Sequence, residues 1–319
     1  MFKFKKHLST SQFTAISVFQ DEIKERVFLE GSGLPVPIDI SKIHSPVCLN
    51  PLVIGIIVKN REELRIMKDN KILAFTRKLS DGGNGSNGKG TLAKSSLQSF
   101  DFIEISENLG VLLLIVKSSI LFHLSRMETY RHLLSLYFYY LKMQKRNSFL
   151  FLSNLLAIYS YPRKVILNII KTASHFNIFP MDLVCELDKE GIMLLGLNIK
   201  NRSIDVIIKT RKMVIVNSDA ANKNIIYGYS ENHNKELIKP HFDFNHILES
   251  ETFNFPVPTF ASSYMEISCI KHVKLGSHYL LICRVINKKI LKSDIPLLYH
   301  VSTIHQFYLE KKNDSYPVV

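Results

Sequence analysis

The chain has 319 residues, 46% hydrophobic and 22% charged, a balance that supports a sizeable core and, at this length, favours about two domains. Its apolar runs fall short of the ~20 residues a membrane-spanning helix needs, and the cations of residues 1–7 have no apolar stretch of signal-peptide length behind them, so a cytoplasmic protein is expected. The net charge of +13 is spread in runs of two or three cations without an aromatic–basic motif, which favours a solvated basic surface over nucleic-acid binding and leaves attraction of anionic nucleotides open.

Residues 8–24 carry a helical pattern, with Ser9, Thr10 or Ser11 as caps and Phe13, Ile16, Val18 and Phe19 partly on one face. Strand patterns follow at 26–30, 53–58, 72–76, 102–105 and 111–116. Between them, residues 81–90 are rich in Gly, Asn and Ser and read as a flexible connection. Gly83, Gly88, Lys89 and Gly90 nearly spell a phosphate-cradling loop, but the Ser or Thr that would ligate magnesium does not follow Lys89 directly. Residues 120–146 read as a helix through Leu124, Met127, Arg131, Leu134, Phe138 and Leu141, and a second strand-rich block runs from 164 to about 308. Cys48, Cys185, Cys269 and Cys283 have no metal-binding spacing and read as reduced, structural thiols, so no metal site is expected.

The two blocks share a local pattern. Residues 52–61 align with 193–202 at a constant offset of 141, matching Gly55 with Gly196, Lys59 with Lys200, Asn60 with Asn201 and Arg61 with Arg202. Lys68 then meets Lys209 and Lys71 meets Lys212; upstream, residues 37–40 resemble 180–183, and downstream Glu104-Ile105-Ser106 resembles Glu266-Ile267-Ser268. Chance between two Lys/Ile-rich β segments is the plain alternative; the matched order favours an internal duplication.

The second block also resembles a known family. Residues 161–167 contain a Pro162-Arg163 pair before an apolar run; Asn177-Ile178-Phe179-Pro180-Met181-Asp182 form a polar strand edge; residues 191–217 give strand, short helix and a returning strand ending in Val216-Asn217. Phe255-Pro256-Val257-Pro258 form a proline loop, Gly276-Ser277-His278 open a long apolar strand, and Pro296-Leu297-Leu298-Tyr299 close the block. In this order the pieces are similar to the flavin-reductase-like, FMN-binding split β-barrel family over roughly residues 160–310.

The resemblance implies a mainly β fold with some α, a Greek-key split barrel, and with the internal duplication it implies a tandem: a degenerate barrel over 1–122, a helical linker over 123–159 and an FMN-binding barrel over 160–319. It implies an FMN-dependent oxidoreductase of the flavin-reductase kind, with NADH or NADPH as co-substrate and a homodimer or a pseudo-dimeric monomer as the assembly; the alternative is a non-catalytic flavin-binding or scaffolding barrel. Asn177, Ile178, Phe179, Pro180, Met181 and Asp182 would meet the flavin ring, Asn201, Arg202 and Ser203 its phosphate, with Asn217 nearby and His278 as the candidate catalytic group. The chemistry is consistent with that set: a flavin needs a polar edge, an apolar wall and anion donors at a helix start. Each residue also has an ordinary role open to it, Asn201 or Ser203 as a helix cap, Phe179 and Met181 as core, His278 as a strand histidine, and Asp182 as a partner for Arg163 or Lys164. The sequence departs from the family at the phosphate end, where the nearest hydroxyl is Ser203 rather than a Thr near Ile204.

Overall fold

The computed structural model describes residues 13–31, 34, 36–59, 71–77, 90–142, 147–173, 176–187, 190–235 and 247–319. In the first half the strands are β1 (Phe13–Val18), β2 (Glu25–Gly31), β3 (Ile38–Asp39), β4 (His44–Leu49), β5 (Leu52–Val58), β6 (Lys71–Arg77), β7 (Thr91–Ser106) and β8 (Leu109–Leu121). Two helices follow, α1 (Arg126–Lys142) and α2 (Phe149–Ile158). The second half contains β9 (Arg163–Lys164), β10 (Ile166–Lys171), β11 (Phe176–Met181), β12 (Val184–Leu187), β13 (Ile192–Asn198), α3 (Ile204–Thr210), β14 (Lys212–Ser218), α4 (Lys223–Gly228), β15 (Ile247–Glu249), β16 (Pro256–Pro258), β17 (Ala261–Leu275), β18 (His278–Ile290), β19 (Leu297–Ser302) and α5 (Thr303–Lys311).

Two seven-stranded antiparallel sheets dominate, ordered β3-β2-β6-β7-β8-β5-β4 and β11-β10-β14-β17-β18-β13-β12. Taken from first strand to last in each half, these are the same order. Both sheets curl: in the second, Phe179 near one edge and Leu195 near the other enter a single apolar cluster. The fold is therefore mainly β with few helices, as the sequence indicated.

The apolar runs explain the layering. In β5, Leu52, Ile54, Ile56 and Val58 point into the first sheet's interior, while Val53 and Ile57 point the other way. In β13, Met193, Leu195 and Leu197 fill the second sheet's interior, while Ile192 and Leu194 face outward. The outward residues of both halves, with Val111, Leu113, Leu280 and Ile282, merge into one buried cluster. Strands with both faces covered read as near-continuous apolar runs, because alternation selects between two apolar environments rather than between core and water. Gly196 marks one close approach of the two halves, since a Cβ there would stand 2.6 Å from the Val47 carbonyl oxygen.

The helical expectation for 8–24 fails over residues 13–18 and is met only by a single 3-10 turn, Gln20–Glu22. Residues 13–18 are a strand, pairing antiparallel with β19 from Phe13↔Ser302 to Val18↔Leu297, and residues 8–12 lie outside the described set. With β9 they form a third, three-stranded sheet. The expected helix over 120–146 begins at Arg126, because residues 120 and 121 still belong to β8, and 143–146 lie outside the described residues. Of the glycine-rich connection, only Gly90 and the following Thr91 are described. The downstream echo falls on unlike places: Glu104 pairs with Gly110 beside its hairpin turn, whereas Glu266 pairs with Asn287 far from its own. All four cysteines are buried and free.

Candidate functional site

The expected flavin edge divides along its own length. Asn177, Ile178 and Phe179 are buried, with Phe179 pointing into the barrel interior and Ile178 into the cluster beneath α4. Pro180, Met181 and Asp182 instead line a cavity of about 280 Å³. Leu183, Val165, Gly196 and Leu197 extend its mainly apolar wall, and Leu49 reaches in from the first half. Asn198, Tyr227, Ser230, His233, His278 and His300 bring polar groups to it.

Asn177 and Ser203 do meet. The Asn177 amide donates to Ser203 Oγ at 2.9 Å and to the Asn232 carbonyl at 3.0 Å. The space between those stretches is filled, however, by the turn at residues 229–233. Asn232 donates to the Ile178 carbonyl at 2.9 Å, Arg202 N donates to the His233 carbonyl at 3.2 Å, and the His233 ring packs 4.9 Å from Phe179. Ser203 N is taken by Asn201 Oδ1 at 2.8 Å, while Asn201 Nδ2 lies 3.1 Å from His233 Nδ1. Asn201 therefore starts α3 with its side-chain oxygen, and Ser203 makes no side-chain cap bond. The Asn201 and Ser203 side chains are thus bonded inside the protein. Arg202 alone of the three is exposed. Asn217 lines a different cavity and donates to Ser263 Oγ at 2.9 Å.

Asp182 pairs with neither Arg163 nor Lys164. It accepts from Tyr159 Oη at 2.9 Å and lies 2.7 Å from His300 Nδ1, whose Nε2 is 2.8 Å from Tyr227 Oη. Burial pushes the Asp182 carboxyl up, but the hydrogen bonds from His300 and Tyr159 outweigh it and hold the group below its ordinary range. Burial carries Tyr227 up to about 12, so it stays a phenol at neutral pH. His278 is buried at the start of β18, with Nδ1 2.8 Å from Ser277 Oγ and accepting from Leu49 N at 3.5 Å. Two donors at Nδ1 leave the ring proton on Nε2. Burial lowers this histidine to about 4, so the imidazole is neutral across physiological pH.

Sequence reasoning missed His300, Tyr227 and His233. His300 directly follows the closing Pro296–Tyr299 motif, a position that could have flagged it; Tyr227 and His233 sit in a segment with no periodic pattern.

A second cavity, about 390 Å³, opens at the Asp39 side, between residues 41–44 of the first half and residues 161–166 and 184–186 of the second. Among the described residues no group of three or more His, Cys, Asp or Glu side chains is arranged to hold a metal ion, and no helix is long and apolar enough to cross a membrane.

No family model matches the sequence, and no curated protein matches it. Solved structures do. The chain is 14% identical to an FMN-binding protein from Thermus thermophilus with bound p-hydroxybenzaldehyde, covering 45% of this chain and 84% of that one at a TM-score of 0.39. It is 12% identical to an NADH:FAD oxidoreductase of Streptomyces globisporus C-1027, covering 46% and 86% at 0.41. It is 14% identical to the styrene monooxygenase flavin reductase from Pseudomonas putida S12, covering 46% and 95% at 0.37.

Proposed function

We propose that the chain is a flavin-binding protein of the flavin-reductase kind, with the ring held in the cavity at Pro180, Met181 and Asp182. One observation carries the reading: an apolar slot at the seam between the halves gathers two neutral or phenolic ring systems, His278 and Tyr227, beside the expected strand edge. The residues fit the ring and not the phosphate at the place the sequence indicated, because Asn201 and Ser203 are internally bonded. A bound flavin supplies hydride acceptance from NADH or NADPH. The protein's part is to enclose the ring between Met181 and the aromatic groups, to keep the His278 Nε2 proton in place and to limit water. The closed Asn177–Ser203 contact favours a second reading, a split barrel that keeps a scaffolding role without turnover.

The same reading takes residues 1–122 as a degenerate copy, 123–159 as a helical linker and 160–319 as the flavin-binding barrel. The shared strand order and the position of Gly55 and Gly196 on corresponding strands support it. FMN and riboflavin titrated separately into purified protein should each perturb the flavin absorbance bands, and Leu183→Trp, which fills the slot, should abolish both responses. Arg202→Ala should weaken FMN and spare riboflavin if the phosphate lies along that exposed cation. Silence with both flavins, or full binding by Leu183→Trp, rejects the site. NAD(P)H oxidation in the presence of flavin then separates a reductase from a scaffold.

A further inference from the structure

Cys269 and Cys283 face each other within the second sheet. They are register partners on β17 and β18, and both side chains enter the cluster that fills the barrel interior. The Cys269 N–H donates to the Arg211 carbonyl at 2.8 Å, on the β14 side of the strand. Because a residue in an antiparallel ladder turns its N–H and C=O to the same side, Cys269 and Cys283 are a non-hydrogen-bonded pair. Pairs of that kind bring their Cα atoms to about 4.5 Å, inside the ~4.4–6.8 Å that a disulfide spans, with the side chains at their closest.

The two thiols touch. Cys283 donates to Cys269 Sγ; that bond, with the Arg211 guanidinium nearby, outweighs burial and holds Cys269 below its ordinary value, whereas burial and the same bond push Cys283 well above its own. As a thiol, Cys269 has the Lys271 carbonyl 3.4 Å away as an acceptor. Cys269 keeps 3% exposure where Cys283 has none, and it lines a cavity of about 280 Å³ with Ile208, Arg211 and His272, so a small reagent meets Cys269 first. The ladder shifts register between Cys269 and Lys271, which sets the cavity beside a bulge where strand pairing is already interrupted. Cys48 and Cys185 differ. Each donates to a carbonyl, of Leu275 and Lys42 respectively, neither has a thiol partner among the described residues, and burial pushes Cys185 up to about 12.

We propose that Cys269 and Cys283 form a reversible cross-strand disulfide, with a small peroxide as the oxidant and Cys269 as the attacking group. The Cys269 thiolate attacks one peroxide oxygen; the O–O bond breaks, the other oxygen leaves with a proton as water or an alcohol, and Cys269 becomes a sulfenic acid. The Cys283 sulfur then attacks Cys269 Sγ; the S–O bond breaks, the S–S bond forms, and the departing hydroxide takes the Cys283 proton to leave as water. Two thiols are oxidised to one disulfide and one peroxide is reduced; a dithiol reverses the reaction by exchange. The step needs no flavin, so it stands or falls apart from the slot at Pro180–Asp182.

The test exposes the purified full chain to hydrogen peroxide without denaturant, with circular dichroism recording that the fold persists, then alkylates it in denaturant and maps the peptides by mass spectrometry. Alkylatable thiols should fall from four to two, with a linked pair of peptides carrying residues 269 and 283, and dithiothreitol should restore all four. Cys283→Ser should instead hold a sulfenic acid at Cys269 that dimedone traps, while Cys269→Ser should give neither a disulfide nor an adduct at Cys283; Cys283→Ala and Cys269→Ala serve where a buried serine impairs folding. Four free thiols in the folded wild-type chain after peroxide, a disulfide through Cys48 or Cys185 in its place, or a dimedone adduct on Cys283 rather than Cys269 would overturn the assignment.

Discussion

His44 and His123 are buried imidazoles held neutral for related reasons. Burial, with Arg163 beside it, pushes His44 well below its ordinary value of 6.5; burial, with His305 beside it, does the same for His123, whose two ring nitrogens have no partner. Between pH 6.5 and those depressed native values the unfolded chain binds more protons than the folded one. Their contribution to stability is therefore complete above pH 6.5 and declines as pH falls below it, by up to about 1.4 kcal/mol per pH unit for each group. With His278, lowered to about 4, behaving the same way, denaturant unfolding at pH 8 and pH 5.5 should show a loss of about 3–4 kcal/mol at the lower pH. His123→Leu should flatten that slope, and an unchanged profile would contradict the account. At this level the sequence told part of the site. The Gly276-Ser277-His278 motif drew attention to His278, which lines the proposed slot, and the approach of Asn177 to Ser203 was anticipated. What fills the space between them was not, because Asn232 and His233 come from a segment whose side chains follow no periodicity. The partner of Asp182 was likewise hidden, since His300 is 118 residues away.

Among the strands, β13 shows why so much of the architecture was readable. A run of apolar residues bounded by polar ones has few options at strand length, and the two-sided burial of β5, β8, β13 and β18 makes such runs long and continuous. The misreading of 13–18 as helical has the opposite cause. That segment is a strand because β19 on one side and residues 317–319 on the other supply its hydrogen bonds, and local spacing carries no trace of partners near residues 300 and 318. Gly196 tests the layering. Its missing side chain lets β13 lie against the Val47 backbone, so Gly196→Ala should cost about 1–3 kcal/mol, measured as a fall in the denaturation midpoint with the slope unchanged. A neutral substitution would mean that the two halves are not pressed together at this point.

The two large sheets share one apolar cluster, to which Val47, Val53 and Leu113 contribute from one half and Leu194, Leu280 and Ile282 from the other. Neither half can expose that surface to water at low cost. Calorimetry should therefore record one cooperative transition for the whole chain, and two resolved transitions would show that the halves melt independently. The sequence suggested two blocks, but it could not show that they adhere face to face, because residues that fill a barrel and residues that fill a seam are chemically alike.

The pairing of β1 with β19 also imposes a timetable. Synthesis at ~5–20 residues per second puts roughly 15 to 60 s between the emergence of Phe13–Val18 and that of Leu297–Ser302. Throughout that interval β1 lacks the strand it pairs with, so a nascent chain must shelter it until residues 297–302 emerge.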